Sequence, residues 1–192
     1  MFLVEPRRLE QSNLAYGVRT HARAARRLGW IDTHTGLGVS GLGERIFACR
    51  DDAAALQRTR QWWGGYGNTP VTSIYDGSST SERLTALMRM SVDQECLHVV
   101  YTGIAMAYGT VPPVQMIETW RAEQWLQIHP EAPAAQAALI KQQMMDAFVR
   151  GSDWWKVQIA SQAREALFQA VAWLSDTSSD TSSGTSSGTS AD

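Results

Sequence analysis

Residues 97–111 read Leu-His-Val-Val-Tyr-Thr-Gly-Ile-Ala-Met-Ala-Tyr-Gly-Thr-Val. No Asp, Glu, Lys or Arg interrupts this run, and most of its members are apolar or favour β-structure. An uncharged strand suits a position that is covered on both faces, as in the sheet of an α/β protein. We therefore expect 97–111 to form a buried strand that ends near Gly109 and Thr110.

Helical spacing of apolar residues predicts helices on both sides of this strand. Three are expected before the strand: from Ser12 to Leu28 with Gly29 as the stop, at 53–63 with Asp51 as the cap, and at 79–88. Three more are expected after it: from Pro112 to Ile128, a helix that follows Pro133 and ends at Val149, and one at 153–174. Short strands are expected at 30–34, 44–47 and 71–75. The glycine-rich segment 35–43 is expected to be a loop, because glycine is costly inside regular elements. Helices that alternate with short uncharged strands indicate an α/β domain, and the small number of strands indicates a partial sheet.

The composition excludes several classes of protein. Seventeen basic and nineteen acidic residues give a net charge of −2, which does not suit a protein that coats nucleic acid. Two cysteines cannot form a disulfide framework or a cysteine-based zinc site. No run of eighteen apolar residues occurs, and the amino terminus has its apolar residues before its basic ones, so we expect no membrane span and no secretory signal. These features favour a cytoplasmic protein.

The chain divides into a folded part and a tail. Residues 175–192 are almost all Ser, Thr, Gly and Asp and contain nothing that forms a core, so we expect this tail to be disordered. One domain is therefore expected at 1–174.

Histidine and tryptophan are the candidate functional residues. His21 and His129 are expected at the surface and His98 in packing, whereas His34 stands beside Asp32 where a strand meets a glycine-rich segment, a position typical of binding and catalytic groups in α/β proteins. The tryptophan pairs at 62–63 and 154–155 are expected in the core.

Several separated motifs resemble one family. They are the string from Leu28 to Gly38 (Leu-Gly-Trp-Ile-Asp-Thr-His-Thr-Gly-Leu-Gly), the short motifs at 43–46 and 108–112, and the longer motif at 120–130. In this order they resemble the carboxy-terminal half of bacterial zinc carboxypeptidase-like proteins, in a branch described as a domain of unknown function. The likeness covers roughly Pro6 to Ser175.

The resemblance implies a fold and a set of site residues. The fold would be a mixed sheet flanked by helices, truncated at its amino-terminal side, and His34 would be a vestigial third zinc ligand. The first two ligands of the family lie in a His-x-x-Glu motif of the other half, and Ala107 stands where the family has its general base, a glutamate. In the intact family the zinc lowers the pKa of a bound water, and the glutamate takes its proton as it attacks a carbonyl carbon.

From this resemblance we expect a degenerate protein that hydrolyses neither peptides nor amides. We expect no cofactor in this chain, although the intact family uses zinc, and a homo-oligomer or partner chain that covers an exposed sheet edge. Two alternatives remain open. One is a protein-interaction module on the retained scaffold, and the other is a winged-helix regulator, because the first sixty residues carry ten arginines against six acids.

Overall fold

The computed structural model describes residues 5–64, 70–83, 92, 95 and 97–176. Within them the chain forms five helices and four strands. In chain order these are α1 (Glu5–His21), β1 (Arg27–Ser40), β2 (Gly43–Phe47), α2 (Ala53–Trp63), β3 (Val71–Ser73), β4 (Val100–Gly109), α3 (Pro113–Ile128), α4 (Ala134–Phe148) and α5 (Asp153–Ser175). The tail from 177 onward lies outside the described residues.

The four strands form one mixed sheet in the order β1-β4-β2-β3. β1 runs parallel to β4, β2 runs antiparallel to β4, and β3 runs parallel to β2. The uncharged segment at 97–111 thus supplies an interior strand, as expected, although the strand begins at Val100 and residues 97–99 form a turn. The sequence-based prediction of an α/β fold with a mixed sheet flanked by helices is confirmed.

Helices α2 and α5 cover one face of the sheet. Their buried tryptophans Trp62, Trp63 and Trp155 pack with Met106 and Tyr108 of β4. Two indole N–H groups find carbonyl acceptors, from Trp63 to Ala166 at 3.0 Å and from Trp155 to Gly109 at 2.8 Å, which removes the cost of burying them.

The predicted burial of the tryptophan pairs is confirmed for Trp62, Trp63 and Trp155. It is wrong for Trp154, which is 59% exposed. In a helix the adjacent residue points about 100° away, so α5 can bury only one member of this pair against the sheet.

A buried arginine in β2 links the sheet to both helices on this face. Arg45 of β2 is paired with Met106 and is only 2% exposed. Its guanidinium donates to the carbonyl oxygen of Trp63 at 2.5 Å and lies 3.3 Å from a carboxylate oxygen of Glu165 in α5. The charge is therefore paired and hydrogen-bonded, as a buried cation requires.

Helices α3 and α4 pack against each other near the carboxyl end of β1. Met116 and Ala147 are buried here with Val111, and Leu37 of β1 packs against them. All three helices predicted in this region are confirmed: the one at 112–128, the one that ends near Val149, and the one at 153–174. Ser152 caps α5 by accepting from the amide of Trp155.

The prediction of a first helix from Ser12 to Leu28 is wrong at both ends. The helix spans Glu5–His21, and Leu28 lies in β1, paired with Tyr101. The amide of Val100 donates to the carbonyl of Arg26 at 2.9 Å, which starts the pairing of the two strands. Tertiary pairing with β4 thus overrides the local helical spacing.

The prediction of a loop at 35–43 is also wrong, because β1 continues to Ser40. Both Gly36 and Ser40 pair with Gly109, so the residues between them form an irregular bulge in the strand. Gly38 has φ of 117° and Gly41 has φ of 77°, values that favour glycine. The glycines therefore permit a bulge and a tight turn into β2 rather than a long loop.

Two smaller predictions also change. Asp52, not Asp51, caps α2 by accepting from the amide of Ala54. Of the helix predicted at 79–88, residues 79–83 are not helical, and 84–88 lie outside the described residues.

Candidate functional site

Three residues of the candidate site lie side by side across three strands. His34 of β1 is paired with Ala107 of β4, and Ala107 is paired on its other side with Glu44 of β2. Paired residues on neighbouring strands point to the same face of a sheet. This is the face opposite α2 and α5, because Arg45 and Met106, which contact those helices, alternate with Glu44 and Ala107.

His34 is held by Asp32, two residues earlier on the same face. Nε2 of His34 donates to Oδ2 of Asp32 at 2.8 Å, and the two side chains are 53% and 15% exposed. In a neutral ring that donates from Nε2, Nδ1 keeps its lone pair and is the nitrogen that can bind a metal. The imidazole is thus oriented by a carboxylate and open to solvent.

Ala107 is half-buried between these two strands. Its methyl group can neither accept a proton nor bind a metal. Ala107, the position that the resemblance assigns to the general base, lies beside His34 in the sheet and carries no titratable group.

Glu44 is the functional candidate that the sequence reasoning missed. Oε1 accepts from the hydroxyl of Thr72 at 2.7 Å and from the amide of Thr80 at 3.0 Å, and Oε2 accepts from the hydroxyl of Thr80. Burial alone raises the pKa of the Glu44 carboxyl, but the hydrogen bonds from Thr80, Thr72 and Ser79 outweigh burial and hold the pKa below its usual value. Glu44 is therefore ionised at neutral pH.

A cavity of about 670 Å³ opens beside Glu44 and Ala107. The bulged end of β1 forms one wall through Val39 and Ser40. Most of the remaining lining is apolar, and the hydroxyls of Thr72, Ser78 and Thr80 stand with Glu44 on the polar side. This volume is within the range of small-molecule sites in proteins.

The other histidines lie away from this site. His21 is exposed, as expected, and His98 is exposed as well, so the prediction that it is packed is wrong. His98 lies in a turn that precedes β4, and Val99, the next residue, is buried instead. His129 stacks on Trp125 with ring centroids 4.4 Å apart, and its Nδ1 lies 2.8 Å from the Trp125 carbonyl oxygen.

The described residues do not make a zinc site. His34 offers one nitrogen, whereas a catalytic zinc takes three protein ligands and keeps one open position. Within the described ranges, no three His, Cys, Asp or Glu side chains lie close enough together to hold a metal ion. We therefore derive no chemical step through zinc in this chain.

Comparison with known proteins gives one finding on identity. A family model described as "Protein of unknown function (DUF2817)" matches residues 9–162. The chain belongs to the DUF2817 family. The match includes all four strands and the residues His34, Glu44 and Ala107. No curated protein and no solved structure matches the chain.

The DUF2817 match agrees with the part of the resemblance that named a domain of unknown function. It carries no statement about zinc or hydrolysis. Throughout the part of the chain that the structure describes, every helix is too short or too polar to cross a membrane.

Proposed function

We propose that this chain is a degenerate zinc carboxypeptidase-like protein, without a catalytic zinc and without peptidase or amidohydrolase activity on its own. The observation that carries the proposal is the pairing of His34 with Ala107. It brings the residue proposed as a vestigial ligand next to the position proposed for the base, and that position holds a methyl group. The side chain at this position therefore cannot accept a proton from an attacking water.

Glu44 is a poor substitute for the missing base. General-base catalysis is most effective when the pKa of the base is close to the working pH. The hydrogen bonds from Thr72 and Thr80 lower the pKa of Glu44, which moves it away from neutrality. The same three hydrogen bonds link β2 to β3 and to the segment around Thr80, so Glu44 also has a structural role.

A zinc and activity assay tests this proposal. After incubation with zinc and dialysis, we expect the purified chain to retain substoichiometric zinc and to leave a peptide and an N-acyl amino acid intact. The variants His34→Ala and His21→Ala, which remove an oriented and an exposed histidine, are expected to match the unmodified chain. One zinc per chain together with hydrolysis, both lost in His34→Ala and kept in His21→Ala, would refute the proposal.

A protein-interaction module is the second candidate function, and the surface of the fold favours it. β1 is an edge strand of fourteen residues among the described strands, and long edges invite pairing with another chain. Helix α5 exposes a stripe of apolar residues at helical spacing, formed by Leu167, Phe168 and Val171. We propose that a second copy of the chain covers the exposed edge of β1 and extends over this stripe.

Light scattering coupled to size-exclusion chromatography tests self-association. We expect the unmodified chain to elute as an oligomer. The double variant Phe168→Glu/Val171→Glu should shift toward the monomer, because association would bury the two introduced carboxylates without partners. Ser161→Glu, at an exposed position of the same helix, serves as the control and should keep the oligomer. A monomer with a single cooperative melting transition in the unmodified chain would exclude this interface.

A further inference from the structure

We propose that the cavity beside Glu44 binds a small organic cation, in which a primary ammonium group is attached to an apolar body. The inference concerns binding alone and does not depend on the absence of catalysis. Neither the DUF2817 description nor the resemblance assigns a ligand of this kind.

The charge of the cavity is the first argument. Glu44 lines the cavity as a carboxylate, and among the described residues no Lys, Arg or His side chain forms an ion pair with it. The surrounding lining is mostly apolar, for example Val39, Leu42 and Pro112. A carboxylate that lacks an ion pair with the described residues attracts a cation, and the attraction is stronger beside apolar surface than in bulk water.

The orientation of the hydroxyl groups is the second argument. Thr72 and Thr80 donate their hydroxyl protons to Glu44, and Ser78 donates its proton to Asp76 at 2.5 Å. A hydroxyl has one proton to donate and two lone pairs that accept. With the protons used, these groups can offer only lone pairs to a ligand, so the ligand must be the donor.

The size and shape of the cavity define the rest of the ligand. A volume of about 670 Å³ leaves ample room for an aromatic or aliphatic body beside the ammonium group. Oε2 of Glu44 accepts a hydrogen bond from Thr80 and has a second lone pair, so it can also accept from an ammonium group, whereas a carboxylate or phosphate would meet lone pairs and a like charge. Anionic ligands are therefore rejected by the same groups that hold the cation.

Three probes of similar shape test the proposal. Phenethylammonium, phenethyl alcohol and phenylpropionate differ mainly in charge, and NMR titration of the full chain gives the dissociation constant of each. We expect the ammonium probe to bind on the order of ten-fold more tightly than the alcohol, because hydrogen bonds to charged groups are stronger than neutral ones. The anionic probe is expected to bind most weakly.

Two variants separate charge from shape. Glu44→Gln removes the charge at nearly constant volume, so we expect it to weaken ammonium binding on the order of ten-fold and to leave the alcohol unchanged. Val39→Trp fills the wall at an exposed position and keeps the charge of Glu44, and it should weaken all probes by the same factor. Glu44→Gln is judged by the ratio of two probes, so a loss of folded protein does not imitate its result. For Val39→Trp the circular dichroism spectrum must match that of the unmodified chain, because a loss of folded protein would also weaken all probes equally.

Several outcomes would overturn the proposal. They are a failure of all three probes to bind the unmodified chain, equal affinities for the ammonium and the alcohol, or an unchanged preference for the ammonium in Glu44→Gln. If Glu44→Gln does not fold, two other results test the proposal. They are the preference of the unmodified chain for the ammonium probe and an equal loss of affinity for all three probes in Val39→Trp.

Discussion

Replacing Trp63 with alanine is expected to lower the free energy of unfolding by about 3–5 kcal/mol. Trp63 is fully buried at the centre of the core that α2, α5 and the sheet form. The change would leave a large cavity, and it would also remove the hydrogen bond from the indole N–H to the Ala166 carbonyl. Urea unfolding followed by circular dichroism measures the loss.

Two controls separate the causes of this effect. Trp63→Phe keeps an aromatic ring but removes the indole N–H that donates to the Ala166 carbonyl, so a smaller loss of about 1–3 kcal/mol is expected. Trp154→Ala removes the same side chain at a mostly exposed position, and about 1 kcal/mol or less should follow. Equal losses at Trp63 and Trp154 would mean that the core does not lie where the structure places it.

The parts of the fold that could be predicted are those in which local signals agree. Helix α2 has the bounds that its sequence predicts, because its apolar spacing and the glycine that follows Trp63 agree, although the capping aspartate is Asp52 rather than Asp51. β4 could be predicted because a long uncharged run suits an interior strand. β1 could not, since the conformation of 35–40 depends on pairing with Gly109, which is far away in the sequence.

The candidate site was predictable only in part. Alternation along a strand places Asp32 and His34 on one face, so their contact could be inferred from sequence. The role of Glu44 could not, because it depends on Thr72 and Thr80, which β3 and the following segment bring to it. One signal did exist: the five-residue strand Gly43–Phe47 has two charged residues, and charges in a mostly buried strand need partners.

Replacing Gly109 with alanine is expected to lower the free energy of unfolding by about 3 kcal/mol, at the upper end of what overpacking costs. A methyl group at this position would stand 2.2 Å from the carbonyl oxygen of Val39 and 2.4 Å from the carbonyl carbon of Gly38. Both contacts are with backbone, which cannot move aside as a flexible side chain can. Gly109 is also fixed by its own bonds, because its N–H donates to the carbonyl of Leu42 and its carbonyl accepts from Gly41 and Trp155.

Gly17→Ala is the matched control for this substitution. A methyl group at Gly17 meets nothing within 4 Å, and alanine favours the helical conformation of α1, so stability should rise by about 0.5–1 kcal/mol. Because the bulge against Gly109 positions Val39 and Ser40 in the wall of the cavity, Gly109→Ala should also weaken all three probes while Gly17→Ala leaves them unchanged. If Gly109→Ala kept full stability and unchanged probe binding, the end of β1 would not lie in close contact with Gly109. The bulge would then not form the wall of the cavity.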